Sequence, residues 1–224
     1  MLRAWTEERF SHEGRFFTVK DARVIPKPLQ RPHPMIYQVC GSDSGIESTA
    51  SRGWPMLNSV LTGPVDQLLT RRDSYLQALR RHGRAETEIA ALMKHWGVSR
   101  QIYVAPTDAQ ALAEAKDAEM WYQDSLRRFQ VPDRIEDTHP SLQAGFRAAA
   151  ERFAKVTWEG LVAETLAFGS PDTVARHIET MRAMGVAQVL CWMNFGGLPQ
   201  EKIRRSMELF AREVMPHFRA RDAP

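Results

Sequence analysis

The chain is poor in cysteine. Only Cys40 and Cys191 occur in 224 residues, and each lies in an apolar run that reads as a buried strand. That count excludes the disulfide framework that staples small secreted domains, and buried free thiols behave as small hydrophobes. Cytosol is the compartment this usage points to. CxxC and HExxH spacings are missing and the histidines are scattered, so no metal site is supported. No apolar run approaches the roughly 20 residues that span a bilayer, and Met1–Glu8 lacks the apolar core of a signal peptide. Basic runs interleaved with aromatics are also missing. With a formal net charge of only +3, and Lys and Arg mixed among Asp and Glu, neither nucleic acid nor a membrane is indicated as a partner. There is no internal repeat and no low-complexity tract.

What remains is an ordinary globular composition, 43% hydrophobic and 25% charged, in a length that suits one large domain or two small ones. Residues 1–34 read as a hairpin and a connector. Phe10-Ser11 and Phe16-Phe17-Thr18-Val19 flank the turn-prone His12-Glu13-Gly14-Arg15, which predicts a β-hairpin with His12 exposed in its turn. Pro26, Pro28, Pro32 and Pro34 then impose an extended segment.

Residues 35–219 alternate between strand and helix. Strands are predicted at Ile36–Cys40, Pro55–Val60, Arg100–Ala105 and Val186–Met193. A short helix follows over Ile46–Arg52. The next starts near Thr62-Gly63-Pro64, with Val65, Leu68, Leu69, Tyr75, Leu76 and Leu79 as its inner stripe and Arg71, Arg72, Arg80 and Arg81 on a solvated face. Another opens on Thr107-Asp108-Ala109-Gln110, a capping box. Ser170-Pro171 starts a helix with Val174, Ile178 and Met181 buried. The last carries Ile203, Met207, Phe210 and Val214 inward and is closed by Pro216. Residues 131–168 read as an irregular insertion and 220–224 as a tail. Apolar strands separated by helices imply an α/β fold with a parallel sheet of about four strands, covered on both faces.

Two turns carry candidate chemistry. The run Ile36–Cys40 stops in Gly41-Ser42-Asp43-Ser44-Gly45. Small side chains there let an anion approach first-turn amides that have no partner within the helix. A phosphate fits this turn, and so does plain N-capping by Ser42 or Ser44. The second turn is Asn194-Phe195-Gly196-Gly197. Gly196 and Gly197 permit close backbone approach and Asn194 offers an amide, although a permissive end to the strand accounts for them equally. Cys40 and Trp192 read as core.

Three segments, taken together, resemble the bacterial luciferase-like family of flavin-dependent monooxygenases. They are Glu8–Phe17 leading to Pro26-Lys27-Pro28-Leu29-Gln30, Ile36–Gly53, and Leu190–Pro199 continuing through Ser206–Phe210. The resemblance implies a TIM-type (β/α)₈ barrel that binds reduced FMN, or a deazaflavin relative, at its mouth. It places the cofactor phosphate near Gly41, Ser42, Ser44 and Gly45, with Asn194 and Gly196 facing the flavin edge or a substrate. Asp43 departs from a phosphate site unless it points to solvent or caps the helix.

On this reading the four strands correspond to the fifth to eighth of the barrel, a partial barrel preceded by a hairpin. The implied activity is oxidation of a small organic substrate by reduced flavin and oxygen, with a flavin reductase as a candidate supplier. The alternatives are a deazaflavin-dependent dehydrogenase and a non-catalytic flavin-binding or dimerising relic. No catalytic acid or base is nominated, and residues 131–168 are the candidate substrate loop. A partial barrel leaves two open edges and bares the side chains meant for its interior. The expected partners are therefore a second copy of the chain or a separate N-terminal half.

Overall fold

Residues 1–59 and 65–219 are described in the computed structural model. They divide between two units, Met1–Tyr37 and Gln38–Pro224. The first holds helix α1 (Leu2–Thr6) and the antiparallel strands β1 (Phe10–Glu13) and β2 (Thr18–Ala22). The hairpin forms, but His12 lies in β1 opposite Val19 and not in the turn. The Gly14 amide donates to the Phe17 carbonyl at 3.1 Å, so residues 14–17 make the bend, and Phe16 and Phe17 are exposed on it. The proline-rich connector contains neither strand nor helix. Lys27 Nζ ties it to α1 by donating to the carbonyls of Ala4 and Glu7.

The second unit is built on a parallel sheet of β3 (Gln38–Val39), β4 (Met56–Ser59), β5 (Gly97–Val104), β6 (Ala167–Gly169) and β7 (Gln188–Trp192). The four strands foreseen from the sequence lie side by side as β3-β4-β5-β7, each parallel to the next. Strand β6 is additional. Its three residues sit at the end of the stretch read as an insertion, too short for a period to show. Successive amides of a strand point to opposite edges. The Trp96 carbonyl accepts from Gln188, whereas the Ala105 amide donates to Gly169. Hence β6 lies on the β4 side of β5, beyond the point where β4 ends.

Helices α2 (Asp43–Arg52), α3 (Gln67–Arg81), α4 (Glu86–Met93), α5 (Asp108–Gln130), α6 (Pro140–Ala154), α7 (Trp158–Glu164), α8 (Pro171–Ala183) and α9 (Gln200–Leu209) complete the unit. The predicted strand end at Val60 and helix start at Thr62-Gly63-Pro64 lie outside the described residues. Helix α4 was not foreseen. Thr107 caps α5 by accepting from the Gln110 amide, but the Gln110 side chain turns forward to Glu114, so no capping box closes. Pro216 does not end the last helix. A π-helical turn, Phe210–Val214, leads without a break from α9 into a further helical segment, Met215–Arg219, which contains Pro216. Met207 is exposed, because Ile203, Ser206 and Leu209 supply the inner side of α9.

Alternation along β5 divides the core into two. Val98, Ile102 and Val104 face one way and pack with Ile46 of α2, Leu68 and Tyr75 of α3, and Val174 and Ile178 of α8. Tyr103 and Ala105 face the other way. They pack with Ala111, Ala115 and Ala118 of α5, with Phe168, and with Phe195 after β7. The central strand is buried almost throughout, while the outer strands are not: Val39 is 64% and Leu190 44% exposed. For the same reason Cys191 is exposed, contrary to expectation, and Cys40 is buried. Among the described residues neither β3 nor β7 carries a second neighbour.

Candidate active site

In a parallel sheet all strand C-termini emerge on one side, and that side is where such sheets bind ligands. Both candidate turns leave from it, one after β3 and one after β7. Ser42 is the N-cap of α2, its Oγ accepting from the Gly45 amide at 3.2 Å. The Ser44 hydroxyl stands 3.3 Å from that of Ser42. A serine that accepts one bond still has an O–H to donate. Gly41, Ser42, Asp43 and Ser44 are all exposed, and the amides of Asp43 and Ser44 belong to the first turn of a helix whose dipole favours an anion. Asp43 is as exposed as the two serines that flank it. Gly45 serves packing: a β-carbon there would stand 2.9 Å from that of Cys40.

The turn after β7 is held by other groups. Gly196 has a positive φ of 58°, and a β-carbon on it would lie 1.8 Å from the Ala118 carbonyl oxygen of α5. The close approach that this glycine permits is thus an approach by a helix of the same chain. Asn194 is exposed, and its backbone carbonyl accepts from the Trp192 indole. Trp192 is half-buried and meets Tyr122 edge to face at 5.0 Å.

Two residues near these turns were passed over in the sequence. Arg71 was assigned to a solvated face, yet it is half-buried with its guanidinium over Gly41 and Nη1 donating to the Ser59 carbonyl at 3.0 Å. Burial pulls its pKa down, and the nearby Cys40 thiol opposes that. Its spacing from Leu68 and Tyr75, three and four residues, was the available signal, since such neighbours share a helix face. Arg80 and Arg81 are exposed and pair with Glu86 and Glu47, as a solvated face should.

The other is Glu119 of α5, fully buried, accepting from the Gln101 and Gln123 amides at 2.7 Å each. Burial pushes its pKa up to about 7. A cavity of about 640 Å³ opens beside Ser59 at the end of β4, walled by Arg71 and by residues of α5, α6 and α7. The stretch 131–168 therefore does help to enclose a cavity, through α6 and α7.

Among the described residues no helix is long and apolar enough to cross a membrane, and no group of three His, Cys, Asp or Glu side chains is placed to hold a metal. Comparison with known proteins gives a consistent picture. The sequence is 27% identical over 223 residues to an FMNH₂-dependent dimethylsulfone monooxygenase of Pseudomonas putida, covering 95% of this chain and 54% of that protein. The fold matches the monooxygenase RslO1 of Streptomyces bottropensis with a TM-score of 0.66 at 23% identity, covering 97% of this chain and 58% of that one. It matches the coenzyme F420-dependent tetrahydromethanopterin reductase of Methanopyrus kandleri at 0.63 and 16% identity, covering 97% and 60%. The chain thus spans little more than half the length of these proteins. The model of the luciferase-like monooxygenase family matches residues 1–188, a stretch that contains the β3–α2 turn and stops short of Asn194. With that match over most of its length, the chain belongs to the luciferase-like monooxygenase family.

Proposed function

We propose that this chain carries the phosphate-binding end of an FMN-dependent monooxygenase site and acts on a small organic substrate. The observation that carries the proposal is the β3–α2 turn. It combines four exposed small or polar residues, two hydroxyls 3.3 Å apart and first-turn amides at the end of a strand where such sheets take ligands. These donors suit a phosphate. The amides of Asp43 and Ser44 and the hydroxyls of Ser42 and Ser44 would hold it. Reduced FMN, when bound, would supply the electrons for oxygen chemistry. The chain's own part would be to fix the cofactor's tail and, through α5, α6 and α7, to shield the cavity beside it from water.

The test uses the phosphate itself. FMN should bind the purified chain at least tenfold more tightly than riboflavin, which lacks that group. Ser44→Asp should erase the preference. An acid in the first turn helps the helix by a few tenths of a kcal/mol, so lost FMN binding cannot be blamed on unfolding. Equal binding of FMN and riboflavin by the unaltered chain would remove the basis of the proposal. Titration with F420 in the same experiment separates the deazaflavin reading, because that cofactor also carries a phosphate and would use the same turn.

The exposed outer strands lead to a prediction about association. Among the described residues the strands of Val39 and Leu190 are edges without a second neighbour, the arrangement that pairs with other chains. The isolated chain should self-associate at micromolar concentration in sedimentation experiments. A stable monomer that binds no hydrophobic dye would contradict this.

A further inference from the structure

The cavity beside Ser59 is lined by a charge to which the phosphate reading above gives no part. Arg71 reaches it from α3. Its Cζ, Nη2 and Nη1 stand 3.6, 3.6 and 3.7 Å from where a β-carbon at Gly41 would be. Near-equal distances mean that the guanidinium lies face-on over Gly41, so its N–H groups radiate sideways, in its plane. One N–H goes to the Ser59 carbonyl, and Arg71 and Ser59 both line the cavity. Among the described residues the Cys40 thiol is the one ionisable group that raises the pKa of Arg71, and no carboxylate does. A half-buried guanidinium held by one neutral carbonyl keeps its full charge and several donors for a ligand.

The other charged groups of the lining are Arg152, Lys155, Glu151 and Glu164, all exposed at the rim. Arg152 is already engaged, donating to Gln130 at 2.9 Å and lying over the Phe153 ring. The rest of the lining sets apolar side chains, among them the buried Phe153 and Leu161, beside the polar Gln67, Gln130 and Thr157. The cavity therefore offers one half-buried cation, a wall that is apolar in part around Phe153 and Leu161, and a mixed rim.

We propose that this cavity is the substrate site and that the substrate is a small organic anion, a carboxylate or sulfonate with an apolar body, whose acid group pairs with Arg71. The word substrate rests on the flavin reading above; the anion site does not. Calorimetric titration of the full chain with hexanesulfonate, hexanoate and hexanol tests it. Both anions should bind at least tenfold more tightly than hexanol. Arg71→Gln should abolish that difference, and Arg71→Lys should restore part of it, with circular dichroism showing all three proteins folded. Arg71→Gln should weaken hexanesulfonate more than it weakens FMN, because the phosphate is held by α2. Hexanol binding as well as the anions, an unchanged preference in Arg71→Gln, or a larger loss for FMN than for hexanesulfonate would each overturn the proposal. If hexanesulfonate binds in an Arg71-dependent way and FMN does not bind at all, the flavin reading fails and the anion site stands.

Discussion

Glu119→Gln should make the protein more stable at pH 8, by about 3 kcal/mol, and leave its stability at pH 4.5 nearly unchanged. Glu119 is fully buried between α5 and β5 and accepts two amide hydrogen bonds, and among the described residues no cation lowers its pKa. Burial lifts its pKa from the ordinary 4.5 to about 7. The folded state therefore holds this proton between those two values while the unfolded state releases it, and stability falls as pH rises through the window. At about 1.4 kcal/mol per pH unit, the gap corresponds to the stated 3 kcal/mol, an upper figure because buried sites relax. Glutamine keeps the shape and removes the charge. Gln101 and Gln123 can turn their amides to suit it. Asp108 and Glu114 are held below the ordinary range by their hydrogen-bond partners, so they contribute in the opposite sense as pH falls. Urea denaturation of both proteins from pH 4.5 to 8 isolates Glu119 by difference. Parallel stability profiles would show that the carboxyl is not confined as described.

Gly196→Ala should cost about 4 kcal/mol or more, whereas Gly197→Ala should cost only about 1 kcal/mol. Both glycines have positive φ, 58° and 72°, so an alanine at either is strained by about the same amount. They differ in surroundings. A β-carbon at Gly197 meets nothing within 4 Å, while one at Gly196 would stand 1.8 Å from the carbonyl oxygen of Ala118. Backbone cannot swing aside as a side chain can, so α5 would have to lift. Ala118 is next to Glu119, so lifting α5 would also break the Gln101 bond and part the Tyr103, Phe168 and Phe195 cluster. The same substitution should therefore speed amide hydrogen exchange in α5 and not in α3. Equal destabilisation by the two alanines would mean that α5 does not seat against this turn.

Much of the fold was legible because it rests on short-range rules. Hydrophobic runs bounded by small residues located four strands in their true order. Ser170 announced the start of α8, since a cap needs only the residue and the three that follow, whereas α2 begins at Asp43, three residues before the Ile46 that opens its apolar pattern. The α/β class follows from strands spaced too far apart to form hairpins. The composition of the β3–α2 turn likewise showed where small residues meet a helix N-terminus. Three-residue β6 escaped notice, because nothing so short carries a period.

What the amino-acid order could not show is what lies across from what. Arg71 looked like one arginine among four on a charged helix, and only the approach of β3 laid it over Gly41. Gly196 looked like a place for a ligand to approach, and the approach is made by α5. Cys191 reads as core in its own apolar segment, and becomes exposed because β7 ends the sheet. Propensity and capping are settled among residues a few positions apart. Burial, and with it the pKa of Glu119 and the orientation of Arg71, depends on segments tens of residues away, so it is decided only when the sheet and helices come together.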